Sequence, residues 1–131
     1  MNRNKNGITL KKDTTKEKRK YPVAVLINGA SASASEILAA AIKESYGGFV
    51  VGTNSYGKGS VQQTTTLTDG SMIKYTVQNW LTPDGNWINE VGVEPTDVIE
   101  MNSSYIDNPT IENDNQLNKA IELLINKKVS N

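Results

Sequence analysis

The period of the apolar positions changes along this chain, and each change marks an element. Residues 22 to 28 read Pro-Val-Ala-Val-Leu-Ile-Asn, a short continuous apolar run with β-branched residues, which suits a strand buried on both faces. The run stops at Asn28-Gly29. From Ser33 to Tyr46, the residues Ile37, Leu38, Ala41 and Ile42 recur at helical spacing. Serine stands at the N-cap end, Glu36 in the first turn and Gly47-Gly48 just past the last residue, so the pattern predicts a helix whose apolar face is those four side chains. Phe49-Val50-Val51-Gly52 follows as a second short strand, completing a βαβ-like unit with parallel neighbours in one sheet.

The pattern then turns to alternation. Val61 to Thr68 is rich in Thr and Val, Asp69-Gly70 is a hairpin turn signal, and Ser71 to Leu81 alternates Met72, Lys74 and Thr76 against Ile73, Tyr75 and Val77. An antiparallel hairpin is predicted. Thr82-Pro83-Asp84-Gly85 is a second turn, and residues 92 to 99 read as an edge segment interrupted by Pro95. Residues 102 to 114 read as a polar linker. In residues 115 to 126, Leu117, Ala120, Ile121 and Leu124 share one helical face, which predicts a terminal amphipathic helix packed back on the domain.

Composition narrows the chemistry. The 131 residues contain no histidine and no cysteine, so disulfides, thiolate zinc sites, a Ser-His-Asp triad and a Cys-His pair are all unavailable within the chain. A metal site would need carboxylates alone, and no clustered Asp motif of the EF-hand type occurs. For a serine nucleophile the remaining base is a lysine.

Net charge is zero, yet residues 1 to 20 hold eight Lys/Arg against two Asp/Glu, leaving six against twelve in the rest. With no aromatic before Tyr21, the basic stretch reads as a solvated, flexible lead-in rather than a nucleic-acid arm, and no nucleic-acid partner is expected. No run approaches the ~20 apolar residues of a membrane span, and the first residues lack the apolar region of a signal peptide, so the chain as given is expected to be soluble.

Two segments carry candidate chemistry. In Asn28-Gly29-Ala30-Ser31-Ala32-Ser33-Ala34-Ser35-Glu36, serines alternate at a strand-to-helix turn. One cap needs one serine. A serine at such a turn can lift its Oγ above the sheet, while backbone N–H groups of the helix start face a developing oxyanion. In Tyr56-Gly57-Lys58-Gly59-Ser60-Val61-Gln62, a lysine lies between glycines that permit positive φ and close backbone approach, as needed to turn a long side chain inward. Desolvation there would lower the lysine pKa, and only the neutral amine can take a proton from a hydroxyl.

The stretch from Gly52 to Lys58 also fits the opening of a phosphate-binding loop. There Gly59 stands where a Mg-binding hydroxyl belongs, and the β-prone residues that follow cannot open the required helix. Ser55-Tyr56-Gly57-Lys58 matches the Ser-x-x-Lys of penicillin-recognising enzymes, but the glycines oppose a helix and the companion motifs are missing. Asn102-Ser103-Ser104 is a formal glycosylation triplet of low specificity and is given no role.

Taken together, Val-Leu-Ile-Asn-Gly-Ala-Ser-Ala-Ser-Ala-Ser-Glu-Ile, Val-Val-Gly-Thr-Asn-Ser-Tyr-Gly-Lys-Gly-Ser-Val-Gln, Leu-Thr-Pro-Asp-Gly and Gly-Val-Glu-Pro-Thr-Asp closely resemble the carboxy-terminal processing peptidases, or tail-specific proteases, over residues 21 to 126. The resemblance implies Ser33 as nucleophile, Lys58 as general base, Gln62 as the residue that orients the lysine amine, and the backbone N–H of Ala34 as an oxyanion donor. It implies hydrolysis of proteins near exposed C-terminal tails through an acyl-enzyme, with no metal or organic cofactor.

The fold implied is an α/β, ClpP/crotonase-like protease core, here partial: a βαβ unit, an antiparallel hairpin and a C-terminal helix. Residues 21–131 would be the C-terminal portion of the catalytic domain and 1–20 the lead-in. Family members usually carry upstream a PDZ domain and a Gly-Gly loop with a second oxyanion donor, so this chain is expected to be a fragment, inactive alone, that docks with those segments or self-associates. The parent is expected to be exported to the cell envelope. Glu94-Pro95-Thr96-Asp97 departs from the family by an inserted threonine. The alternative reading is a non-catalytic ligand- or protein-binding module on the same scaffold.

Overall fold

A computed structural model describes residues 1–17 and 21–129, with strands β1 (Asn2–Asn4), β2 (Gly7–Thr9), β3 (Ala24–Ile27), β4 (Phe49–Gly52), β5 (Ser60–Thr66), β6 (Met72–Trp80) and β7 (Asp97–Val98). The helices are α1 (Ala34–Ala40), continued by a π-helical turn over Ala41–Tyr46, then α2 (Ser103–Asp107) and α3 (Asn115–Val129). The strands form two sheets. One is parallel, in the order β3-β4-β7, and the other antiparallel, in the order β2-β1-β6-β5.

The expected βαβ unit forms, β3 and β4 running parallel with Ala24 opposite Phe49 and Ile27 opposite Gly52, but β3 is not buried on both faces: Ile27 is buried and Leu26 is exposed. The core lies between this sheet and α1, where Ile27, Ala39, Ala40, Val50 and Val93 are buried together. The apolar face of α1 differs from the periodicity. Ala39, Ala40 and Glu36 are buried, whereas Leu38 is 56% exposed. Alanines let the helix backbone approach the sheet closely, and the larger Ile37 and Leu38 lie beside that contact rather than in it. On α3, Ala120 and Gln116 are buried and Leu117 and Leu124 half-buried, but Ile121 faces outward.

The expected hairpin β5/β6 forms, closed by a turn in which Gly70 N–H donates to Leu67 O at 3.0 Å, but burial does not follow the alternation: Met72 to Thr76 are exposed on both faces and Val77 to Trp80 are half-buried. A register shift between Val61 and Gln62 marks a bulge in β5. Residues 2–9, expected as flexible lead-in, instead form the strand pair β1/β2. Arg3 lies opposite Asn79 on β6, and the Met1 ammonium donates to Leu81 O at 3.0 Å. Of the charges that suggested a solvated arm, Arg3 lies on β1, between β2 and β6, and Lys5 in the turn that joins β1 to β2, both exposed, while Lys11, Lys12 and Lys16 lie outside the strands. Residues 18 to 20 of that stretch lie outside the described residues.

Two further departures are local. The linker over 102 to 114 contains α2, capped where Tyr105 N–H donates to Asn102 Oδ1 at 2.9 Å. The inserted Thr96 is built into the parallel sheet: its Oγ1 accepts from Val50 N–H and donates to Val50 O, both at 2.9 Å, and its own N–H donates to that carbonyl at 2.7 Å. Among the described residues no helix is long and apolar enough to cross a membrane.

Candidate active site

The strand-to-helix turn after β3 is tied to itself. Ala30 N–H donates to Asn28 Oδ1 at 2.9 Å, Ser31 N–H to Asn28 O at 2.8 Å, and Asn28 N–H to Ser31 Oγ at 3.2 Å. The turn delivers Ser33 to the start of α1 with φ 58° and ψ −114°. A side chain with a Cβ rarely adopts that region, at a cost on the order of 1–3 kcal/mol. Among the described residues Ser33 and Glu90 are the non-glycine residues with positive φ. The Ser33 side chain is exposed. Ala34 is the first residue of α1, so its N–H has no acceptor within the helix.

What holds this conformation is Glu36, whose side chain is fully buried. Its Oε2 accepts the N–H of Ser33 at 2.7 Å and the N–H of Lys58 at 2.8 Å. Its Oε1 accepts the Ser55 hydroxyl at 2.5 Å and the N–H of Gly57 at 2.6 Å. Burial alone would push this carboxyl up, but the bonds from Ser55, Gly57, Lys58 and Ser33 outweigh it and hold the group below the ordinary glutamate value. Four donors on two oxygens fill the acceptor capacity of a carboxylate. In the sequence Glu36 shows only as a first-turn acid. A capping glutamate in water and one buried against a second loop look alike in sequence.

The second loop, between β4 and β5, is pressed against residues 88 to 91. Glu90 N–H donates to Gly57 O at 2.8 Å, and Trp80 N–H to Gly59 O at 2.7 Å. Gly57 has φ +90°, and a Cβ on Gly59 would lie 2.6 Å from Asn89 N. The two glycines therefore serve the close backbone approach expected of them. Ser55, the serine of the Ser-x-x-Lys match, is a buried brace: besides its bond to Glu36 it accepts Val93 N–H at 2.7 Å.

Lys58 and Gln62 line one open cleft of about 920 Å³, whose walls include Ala30 and Ala32 of the serine loop and Thr76 and Asn79 of β6. Gln62 reaches it from the bulge in β5. The structure thus brings Lys58 and Gln62 to a common cleft and fastens the Ser33 loop to the Lys58 loop through Glu36. The expected desolvation of Lys58 differs from what the described residues provide, since the side chain is exposed at the cleft. Its backbone, not its amine, is what the surrounding structure encloses.

A model of peptidase family S41 matches residues 1–99. The carboxy-terminal processing protease CtpB of Bacillus subtilis (strain 168) is 54% identical over 87 residues, which is 66% of this chain and 18% of that protein. The "Probable CtpA-like serine protease" of Staphylococcus aureus (strain N315) is 40% identical over 94 residues, 72% of this chain and 19% of that one. Among solved structures, the photosystem II D1 C-terminal processing protease superposes with a TM-score of 0.58 at 43% identity, covering 60% of this chain and 20% of the other. The tricorn protease superposes with a TM-score of 0.61 at 20% identity over 81% of this chain and 10% of the other, a likeness of fold alone. The chain spans about a fifth of the length of the curated relatives it matches.

Proposed function

The chain belongs to peptidase family S41, and from that premise we propose that it supplies the nucleophile, general base and base-orienting residue of a serine endopeptidase that cleaves proteins near their C-termini. The observation that carries the reading is the single carboxylate of Glu36 gripping the backbones of both Ser33 and Lys58. Such a clamp ties together two segments far apart in sequence, as a shared site for Ser33 and Lys58 requires.

In the proposed reaction the Lys58 amine, in its neutral form, takes the Ser33 hydroxyl proton as Oγ attacks the scissile carbonyl. The carbonyl oxygen becomes an oxyanion that receives the Ala34 N–H. Collapse of this intermediate breaks the C–N bond, Lys58 returns the proton to the leaving amine, and Ser33 is left acylated. Water, deprotonated by Lys58, then attacks the ester carbonyl, and the proton passes back to Ser33 Oγ. Gln62 accepts a hydrogen bond from the amine and directs its lone pair toward Ser33. The second oxyanion donor and the surface that captures substrate tails are proposed to come from the rest of a longer enzyme.

The test is to trap the acyl-enzyme of the full-length protein on a slowly hydrolysed ester and locate the adduct by mass spectrometry. It is expected on Ser33, absent from Ser33→Ala and retained by Ser35→Ala. An adduct elsewhere, or substrate cleavage persisting in Ser33→Ala, would remove Ser33 from its role and favour a binding module.

A further inference from the structure

A second groove, of about 610 Å³, lies beside the cleft that holds Lys58, between the β1/β2 pair and β6, and the two share Thr76 and Asn79 as a common wall. Arg3 and Lys5 line this second groove and no Asp or Glu does. Among the described residues neither cation forms an ion pair. The Arg3 guanidinium instead stands over the Trp87 ring, 5.9 Å from its centre. That stacking holds the planar group in place while leaving its N–H donors free for an anion. Both cations come from the basic residues 1 to 20, with eight Lys/Arg against two Asp/Glu, whereas residues 21 to 131 hold six against twelve. The groove therefore sets cations of the basic segment against β6 of the more acidic remainder.

Strand register fixes how the two grooves connect. Arg3 lies opposite Asn79, and Asn79 lies opposite Ser60, so the three share one face across β1, β6 and β5. Ser60 lines the cleft with Lys58. Neighbouring strands are spaced about 4.8 Å apart, which puts the Arg3 backbone roughly 10 Å from that of Ser60. An extended peptide rising about 3.3 Å per residue crosses that gap in about three residues.

We propose that the groove holding Arg3 and Lys5 is a subsite for an acidic side chain of the polypeptide substrate, on the stretch of chain that runs out of the cleft lined by Lys58 and Ser60; the proposal rests on the peptidase reading. The carboxylate takes charge-assisted hydrogen bonds from the Arg3 guanidinium and the Lys5 ammonium. The amide side chain of Asn79, also on the groove wall, supplies polar surface for the peptide backbone. Both cations are exposed, so the contribution is a preference among substrates rather than the bulk of the affinity.

The test uses the full chain carrying Ser33→Ala, so that binding is read without chemistry, and a pair of extended peptides that differ by Glu against Gln at one position. Titration calorimetry is expected to show the Glu peptide binding about fivefold more tightly at low ionic strength, with the preference shrinking as salt is added. Arg3→Gln with Lys5→Gln should abolish the difference, and Lys5→Gln alone, which leaves the Trp87 stack intact, should reduce it. Equal affinities, no binding of either peptide, or a preference that survives both substitutions would each overturn the subsite. Separately, a Glu preference alongside cleavage that ignores Ser33 would sink the peptidase reading and leave the anion site standing.

Discussion

The backbone amides of Ser33 and Lys58 donate to the same oxygen, Oε2 of Glu36, at 2.7 and 2.8 Å. Two residues 25 positions apart are therefore only two short hydrogen bonds from each other through one buried atom. The arrangement separates positioning from chemistry. Glu36 never needs to touch a substrate, yet movement of its carboxylate would displace the Ser33 and Lys58 backbones together.

Glu36→Gln should be destabilising. The amide keeps one acceptor oxygen but turns an N–H₂ group toward two donors, leaving buried N–H or O–H groups without partners. Each such orphan costs about 1–3 kcal/mol, so a total loss of about 2–4 kcal/mol is expected in urea denaturation. A loss under about 0.5 kcal/mol would mean that the loops hold each other without the carboxylate.

The same group sets an acid limb. Its folded-state pKa lies below the ordinary glutamate value because its hydrogen bonds outweigh burial, so its contribution to stability is full above the unfolded-state pKa of about 4.3 and is lost as pH falls through the folded value. The stability gap between the wild-type chain and Glu36→Gln should therefore narrow below about pH 4. A gap that stays constant from pH 7 down to pH 3 would assign the acid sensitivity to other carboxylates.

Under the proposed mechanism, Lys58→Ala should lower turnover by at least the ~10²–10⁴-fold typical of acid–base catalysis, with Gln62→Ala losing less. Lys58→Arg should not rescue, because a guanidinium stays protonated and cannot accept the serine proton. Steady-state kinetics of the three variants decide the matter. An active Lys58→Arg enzyme would show that position 58 acts through charge alone.

Gly59→Ala should impair activity without touching a reactive group. Its Cβ would come within 2.6 Å of the Asn89 backbone nitrogen, which has no flexible end to move aside. The loop must shift, carrying Lys58 with it, at a cost of about 1–3 kcal/mol. Retained turnover together with an unchanged melting temperature would show that the segment around Asn89 yields instead.

Part of this molecule is local and could be read along the chain. The apolar run of β3 and the alternation of β6 carry their own periods, and Asp69-Gly70 fixes the turn between β5 and β6, because each depends on residues within a few positions of one another. Ser33, Lys58 and Gln62 stood out through a resemblance that rests on the same local strings. Burial of Glu36 depends instead on Ser55 and Gly57, 19 and 21 residues away, and the placement of Arg3 beside Asn79 depends on a strand 76 positions later. Periodicity cannot see such contacts. A first-turn glutamate and a basic N-terminal stretch have the same sequence signature whether they end in water or in a sheet, and the choice is made by which long-range partners complete their hydrogen bonds.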